Sequence, residues 1–364
     1  MIDVKKTCSP SHSIPSKVDN LSSILIFWIL FSLIVIMSGA FLSCAPKQMT
    51  LNEAKQTSFS MRGKSFVPPP RNINDILVVY AGDDAKVPRA EAEWGKILKA
   101  EIPANATQDE LIKFYQKRGR VALILGSYVQ SCEDSRKAYD LAGPKRSILF
   151  LLGACENRLG NFEKAKAIYT MLLNMEARYS VYSDYDSSPE YYALTNLLAA
   201  AGYFEQAEQV ANEGKLYFQH LKYKSHFSEI NKARLECSIL EMKARYREAE
   251  PFIRKTIEEA SAIRPYRYDM VRWARVHLIE NMLSQNRFVE AEIEARLVIE
   301  EDNKIFGSKS FHSFNAMAHL APVLLSQGRI DDAEKIIQVA ISGYKELDLP
   351  SASAFVCYSK DILG

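Results

Sequence analysis

The sequence predicts an all-α protein, a solenoid of antiparallel helix pairs behind a membrane-targeting segment. Three observations carry the prediction. A unit of turn, aromatic and alanine returns five times at one spacing. Gly and Pro are scarce in the C-terminal two thirds of the chain, which suits helices. An uncharged apolar run, Leu21 to Leu42, stands near the start.

That run follows a segment carrying Lys5, Lys6 and Lys17. Water cannot solvate it, so it enters a bilayer. It ends in Phe41-Leu42-Ser43-Cys44, which resembles a bacterial lipobox, with Phe41 where the pattern usually has Leu. The chemistry of such a site needs a small residue beside the scissile bond and a thiol to alkylate. Ser43 and Cys44 supply both. Residues 1–44 are therefore either a signal peptide with lipidation at Cys44 or an uncleaved signal anchor. Both readings place the rest of the chain outside the cytoplasm, because the positive flank stays inside. The expected location is the cell envelope, membrane-anchored and facing the periplasm or the exterior. In the lipidated form, Ala45 in place of Asp points to the outer membrane.

The chain has 364 residues and a formal charge of +2. Residues 1–44 hold three Lys and two Asp, so the remainder is nearly neutral. No electrostatic footprint for nucleic acid is visible. Residues 45–75 are polar, lack helical periodicity and contain Pro68-Pro69-Pro70. They read as a flexible tether with a reach of roughly 30 Å. Ile76 to Ala81 is a short apolar run closed by Gly82-Asp83-Asp84, either a strand or a docked extended segment. Helical patterning starts near Arg89. Trp94, Ile97 and Leu98 share a face, as do Leu111, Phe114 and Tyr115. Residues 120–141 form another helix ended by Gly143-Pro144. Residues 76–144 are thus an N-terminal helical region, either a cap or degenerate repeats.

The repeats occupy residues 145–349. Ala165, Ala207, Ala249, Ala291 and Ala333 are each 42 residues apart. Three positions before them stand Phe162, Phe204, Tyr246, Phe288 and Ile330. Glu follows the alanine in four of the five units, so chance alignment is excluded. Gly160, Gly202 and Gly328, or Asn286, permit a left-handed turn between two helices. The aromatic or Ile begins the second helix and is expected to pack back onto the first. The Ala sits where helices cross closely. Apolar pairs such as Leu151-Leu152 and Leu197-Leu198 mark first helices; Ile168 with Leu172 and Ile253 with Ile257 mark second ones. One pair cannot bury both faces, so neighbours must stack. Residues 350–364 read as a capping helix over the last apolar face.

This pattern resembles the tetratricopeptide repeat in its longer, kinesin-light-chain-like form. Gly153, the five alanines and Ala340 match its small-residue positions, and LLSQGRIDDAEKIIQVAI is the closest stretch. The resemblance covers roughly residues 145–345 and is specific for fold. It implies a right-handed superhelix whose concave face, lined by first helices, binds a partner. Carried over in register, the candidates are Phe150, Asn157, Arg158, Tyr192, Asn196, Arg234, Glu241, Trp273, Glu280 and Asn315. Their mix of aromatics, amides and both charges suits an extended peptide. The third unit departs from the pattern, since Glu236 stands where Leu is usual. The tyrosine-rich stretch Tyr179 to Asp186 is a further candidate contact loop.

No chemistry-bearing motif occurs: no HExxH, no phosphate-cradling Gly loop, no GxSxG. His312 and His319, seven apart, are expected to be structural or exposed. The six cysteines form no CxxC pair, and Cys132, Cys155, Cys237 and Cys357 read as buried free thiols or small core residues, a reading that leaves their disulfide status open. No cofactor or metal is expected, and no enzyme activity. The leading function is an envelope scaffold that binds a protein partner. The alternatives are a small-ligand or polysaccharide-binding envelope protein, or an accessory subunit of an enzyme complex.

Overall fold

The computed structural model describes residues 69–70, 72–81, 89–179, 189–221, 225–264 and 267–363. The apolar run, Ser43 and Cys44, most of the tether and residues 180–186 of the tyrosine-rich stretch lie outside them. Among the described residues there are fifteen helices and no strand. No described helix is long and apolar enough to cross a membrane.

Ten helices make five pairs: α5 (Arg146–Arg158) with α6 (Phe162–Tyr179), α7 (Pro189–Ala200) with α8 (Phe204–His220), α9 (His226–Met242) with α10 (Tyr246–Ala262), α11 (Tyr268–Ser284) with α12 (Phe288–Phe306), and α13 (Phe311–Ser326) with α14 (Ile330–Glu346). Before them stand α1 (Asn74–Ala81), α2 (Arg89–Leu98), α3 (Gln108–Leu125) and α4 (Tyr128–Ala142); α15 (Ala354–Leu363) follows. From α2 onward each helix packs on its chain neighbour, and α7 also meets α9, as α11 meets α13.

Each turn holds one residue at positive φ: Gly160, Gly202, Ala244, Asn286 and Gly328. Only Gly accepts that conformation freely. Ala244, at φ 54°, carries a Cβ against it. Ala244→Gly is therefore expected to raise stability by about 0.5–1 kcal/mol despite the extra freedom of the unfolded chain. A urea midpoint that stays or falls would show a relaxed turn.

The repeated alanines are buried, at most 4% exposed. The residues expected to pack back behave unevenly. Phe204 and Ile330 are 57% and 62% exposed, so they do not cover the first helix. Phe162 instead stacks on Tyr203 of the next turn, 5.8 Å between centroids. The glutamate after the alanine has a structural reason. Glu250 accepts from Gln285 and Arg287 at 3.0 and 2.5 Å. Glu292 accepts from Gln327 and Arg329 at 3.0 and 2.9 Å. Each carboxylate ties one second helix to the following turn. In the first unit Lys166 does this over the Tyr203 ring, 5.2 Å from its centroid. Glu236, the departure in the third unit, pairs with Lys215 at 2.8 Å while Leu235 and Ile239 face the core.

Several expectations are corrected. Ile76 to Ala81 is neither strand nor extended; it lies in α1, with Ile73 and Ile76 buried and the Tyr80 ring edge-on to Phe314. The end of the tether is held. Arg296 donates to the carbonyls of Pro70 and Asn72 and pairs with Asp75 at 2.7 Å. Cys132 and Cys155 are joined as a disulfide, because packing α4 on α5 brings their Cα atoms to 5.5 Å. Cys237 is buried and free as expected, but Cys357 is exposed.

The closing helix does more than cap. Helix α15 touches α13 and α14 and also α5 of the first pair. Phe355 stacks on Tyr128 at 5.6 Å and meets Phe311 edge-on at 4.7 Å. His312 donates from Nε2 to the Ile124 carbonyl at 2.6 Å. The first and last pairs thus share one apolar core, which holds Cys155, Phe311 and Phe355 together.

Candidate functional site

The first helices present polar residues four apart, which places them on one helical face. Tyr192 and Asn196 do so on α7, Arg234 and Ser238 on α9, Trp273 and His277 on α11, Asn315 and His319 on α13. Stacking brings part of this row together. Tyr192, Arg234, Cys237, Ser238, Glu241, Ile253, Thr256, Ala274 and His277 line a narrow pocket of about 20 Å³.

Inside it the Arg234 guanidinium lies over the Tyr192 ring, 5.4 Å from the centroid. The Tyr192 hydroxyl meets His277 Nε2 at 3.3 Å. Ser238 donates to Asn196 Oδ1 at 2.7 Å, leaving the Asn196 amide protons available. Asn281 reaches Glu241 at 3.5 Å. Burial raises the Glu241 pKa, with Glu280 adding to it and His277 opposing. Burial also pushes the Cys237 thiol up, and the Glu241 carboxylate beside it pushes further. Glu280 is different: burial alone would raise it, but His319, 3.1 Å away, and His277 hold its pKa below the usual value.

The other candidates sit apart. Arg158 lies over the Trp273 ring at 4.3 Å and over Phe355 of α15 at 5.6 Å. Trp273 therefore packs against Arg158 of the first pair and Phe355 of the closing helix. Phe150 meets Tyr169 at 6.5 Å in the core of the first two pairs, and Asn157 bonds the Tyr169 hydroxyl. Asn315 is 1% exposed and accepts from Arg272 at 3.0 Å, so it faces the interior. Of the ten candidates the structure gathers Tyr192, Asn196, Arg234, Glu241 and Glu280. Ser238 and His277 were missed. The spacing could have shown both, since Ser238 stands 42 after Asn196 and His277 stands 42 before His319.

His312 and His319 are both interior, at 2% and 8% exposed. Burial, together with Arg272, holds the His312 pKa well below its ordinary value. The sign follows. Below about pH 6.5 the unfolded chain binds a proton that the folded chain does not. Stability from this group is present above that pH and is lost as pH falls, by up to about 1.4 kcal/mol per unit. His312→Gln is expected to flatten the fall between pH 7 and 5 in urea titrations. An unchanged slope would sink this account.

No family model matches this sequence, and no curated protein matches it. Solved structures do. A Rap protein complexed with competence and sporulation factor is 13% identical, with TM-score 0.49, over 86% of this chain and 91% of that one. A tetratricopeptide repeat protein from Parabacteroides merdae is 15% identical, with TM-score 0.41, over 85% and 98%. Both are too distant to carry a functional argument.

Proposed function

We propose that this chain is a membrane-anchored, extracytoplasmic scaffold that binds a segment of a protein partner on its concave face. The observation that carries the reading is the open row from Tyr192 to His277. There, half-buried aromatic, amide and charged groups line a groove formed by consecutive first helices. Such a row offers hydrogen bonds to a peptide backbone and pockets for its side chains. The 42-residue spacing supports a kinesin-light-chain-like member of the tetratricopeptide class. The apolar run before Cys44 supports the anchor, and the Cys132–Cys155 disulfide supports an oxidising compartment. The role is binding and not catalysis. Cys237, the pocket's one thiol, is pushed towards its protonated, unreactive form.

The test is site-specific photo-crosslinking from position 192 in the native host, with intact mass of the recovered chain. A chain starting at an acylated Cys44 and linked to an envelope protein is the expected result. Links to the chain alone would overturn the scaffold; an unmodified full-length chain would leave a signal anchor in place of lipidation.

A further inference from the structure

The two ends of the array meet at a seam that the groove does not use. Gly126, between α3 and α4, has φ 83°, and a Cβ there would stand 2.4 Å from the Cβ of Phe311 in α13. Gly160, between α5 and α6, has φ 81°, and a Cβ there would stand 2.1 Å from the Ala352 carbonyl oxygen, just before α15. Two early turns are thus pressed onto the last units, more closely than any other residue allows. Beside these contacts lies a cavity of about 400 Å³, which shares no residue with the pocket between Tyr192 and His277. Its size is that of a small-molecule site.

The lining has two characters. Val129 of α4 and Leu347, just past α14, form an apolar part and are still 41% and 38% exposed. The guanidinium of Arg118 is taken up by Asp134 and the Ala100 carbonyl. Glu133 and Asp348 also line the cavity, and among the described residues neither carboxylate has an ion pair or a hydrogen bond. Asp348 is the more informative. It ends α14 at φ 55°, with its N–H on the Lys345 carbonyl and the following N–H on that of Tyr344. Gly or Asn is the usual residue in such a cap. A carboxylate there also meets the negative end of the helix dipole. Two local effects oppose this aspartate, and no cation of the chain pairs with it. The first turn of α4, open at Ser127, attracts an anion instead, but its half charge is outweighed by two full ones.

We propose that the seam cavity binds a small amphipathic amine, with its apolar body against Val129 and Leu347 and its ammonium towards Glu133 and Asp348. Such a ligand touches both α4 and the loop that leads into α15, so it also ties the two ends of the array together.

The test titrates the full chain in detergent with phenethylamine, phenethyl alcohol and phenylacetate, which differ mainly in charge. Calorimetry, with titrations into detergent alone subtracted, should show the amine binding about fivefold tighter than the alcohol at low salt, the gap closing as salt rises. Phenylacetate should bind weakest. Asp348→Asn keeps a residue suited to the cap, and Glu133→Gln changes an exposed side chain, so both variants should fold as the parent does. Each should cut the gap to about twofold and leave the alcohol unchanged. Glu205→Gln, an exposed carboxylate on α8, should leave the gap intact. Val129→Trp, which fills the cavity from an exposed position, should abolish binding of all three compounds. Equal binding of amine and alcohol overturns the proposal, as does a preference for phenylacetate, a gap that survives both carboxylate variants, or binding of none of the three.

Discussion

Arg272→Met is expected to cost about 3–5 kcal/mol, more than any other single change considered for this chain. Arg272 is fully buried in α11 and pairs with Asp302 of α12, equally buried, at 2.8 Å. Its fork also donates to the His312 carbonyl at 2.9 Å and to Asn315 Oδ1 at 3.0 Å. The Tyr268 hydroxyl adds a bond to Asp302 at 3.2 Å. Removing the arginine leaves a carboxylate in the interior with one hydroxyl for company. Burying both charges was costly in the first place, so Arg272→Met with Asp302→Leu should recover most of the loss. Urea unfolding of the three proteins separates the cases. A single variant as stable as the parent would mean that the pair contributes no net stability and that Asp302 is neutral without it.

That pair also shows where the sequence stops being readable. The five helix pairs, four of their turns and the closing helix follow from spacing and pattern, because Gly or Asn at the turn and Ala at the crossing are local requirements; the third turn, at Ala244, lacks that signal. The polar interior does not. Arg272 and Asp302 look like ordinary helix-surface residues, since nothing local says that α13 will lie over both. The same holds for Asn315, which shares a register with groove residues but turns inward to meet Arg272. The groove was half legible for a related reason. First-helix positions four apart define a face, yet Phe355 arrives from the far end of the chain to cover Trp273 and Arg158. Contacts between the first and last pairs depend on how the stacked units curve, which is a sum over many interfaces. For α1 the sequence misled outright: a six-residue apolar run has no period long enough to tell strand from helix.

The disulfide carries the second large effect, and it bears on where the protein lives. Cys132→Ala with Cys155→Ala is expected to lower stability by about 3 kcal/mol, because the bond closes a loop over a separation of 23 residues. Both sulfurs are inside, with both residues 0% exposed, so dithiothreitol should reduce the folded protein only slowly and the denatured protein quickly. The same bond reports on compartment. Protein taken from the native host, denatured in the presence of a thiol-alkylating reagent and mapped by peptide mass, should carry label at Cys237 and Cys357 and none at Cys132 or Cys155. That result means the chain matured in an oxidising compartment, as the apolar run before Cys44 predicts. Label on Cys132 and Cys155 as well would mean a reducing one. The extracytoplasmic scaffold would then fail even if the groove, the turns and the buried pair all behaved as argued, because none of those depends on which side of a membrane the helices fold.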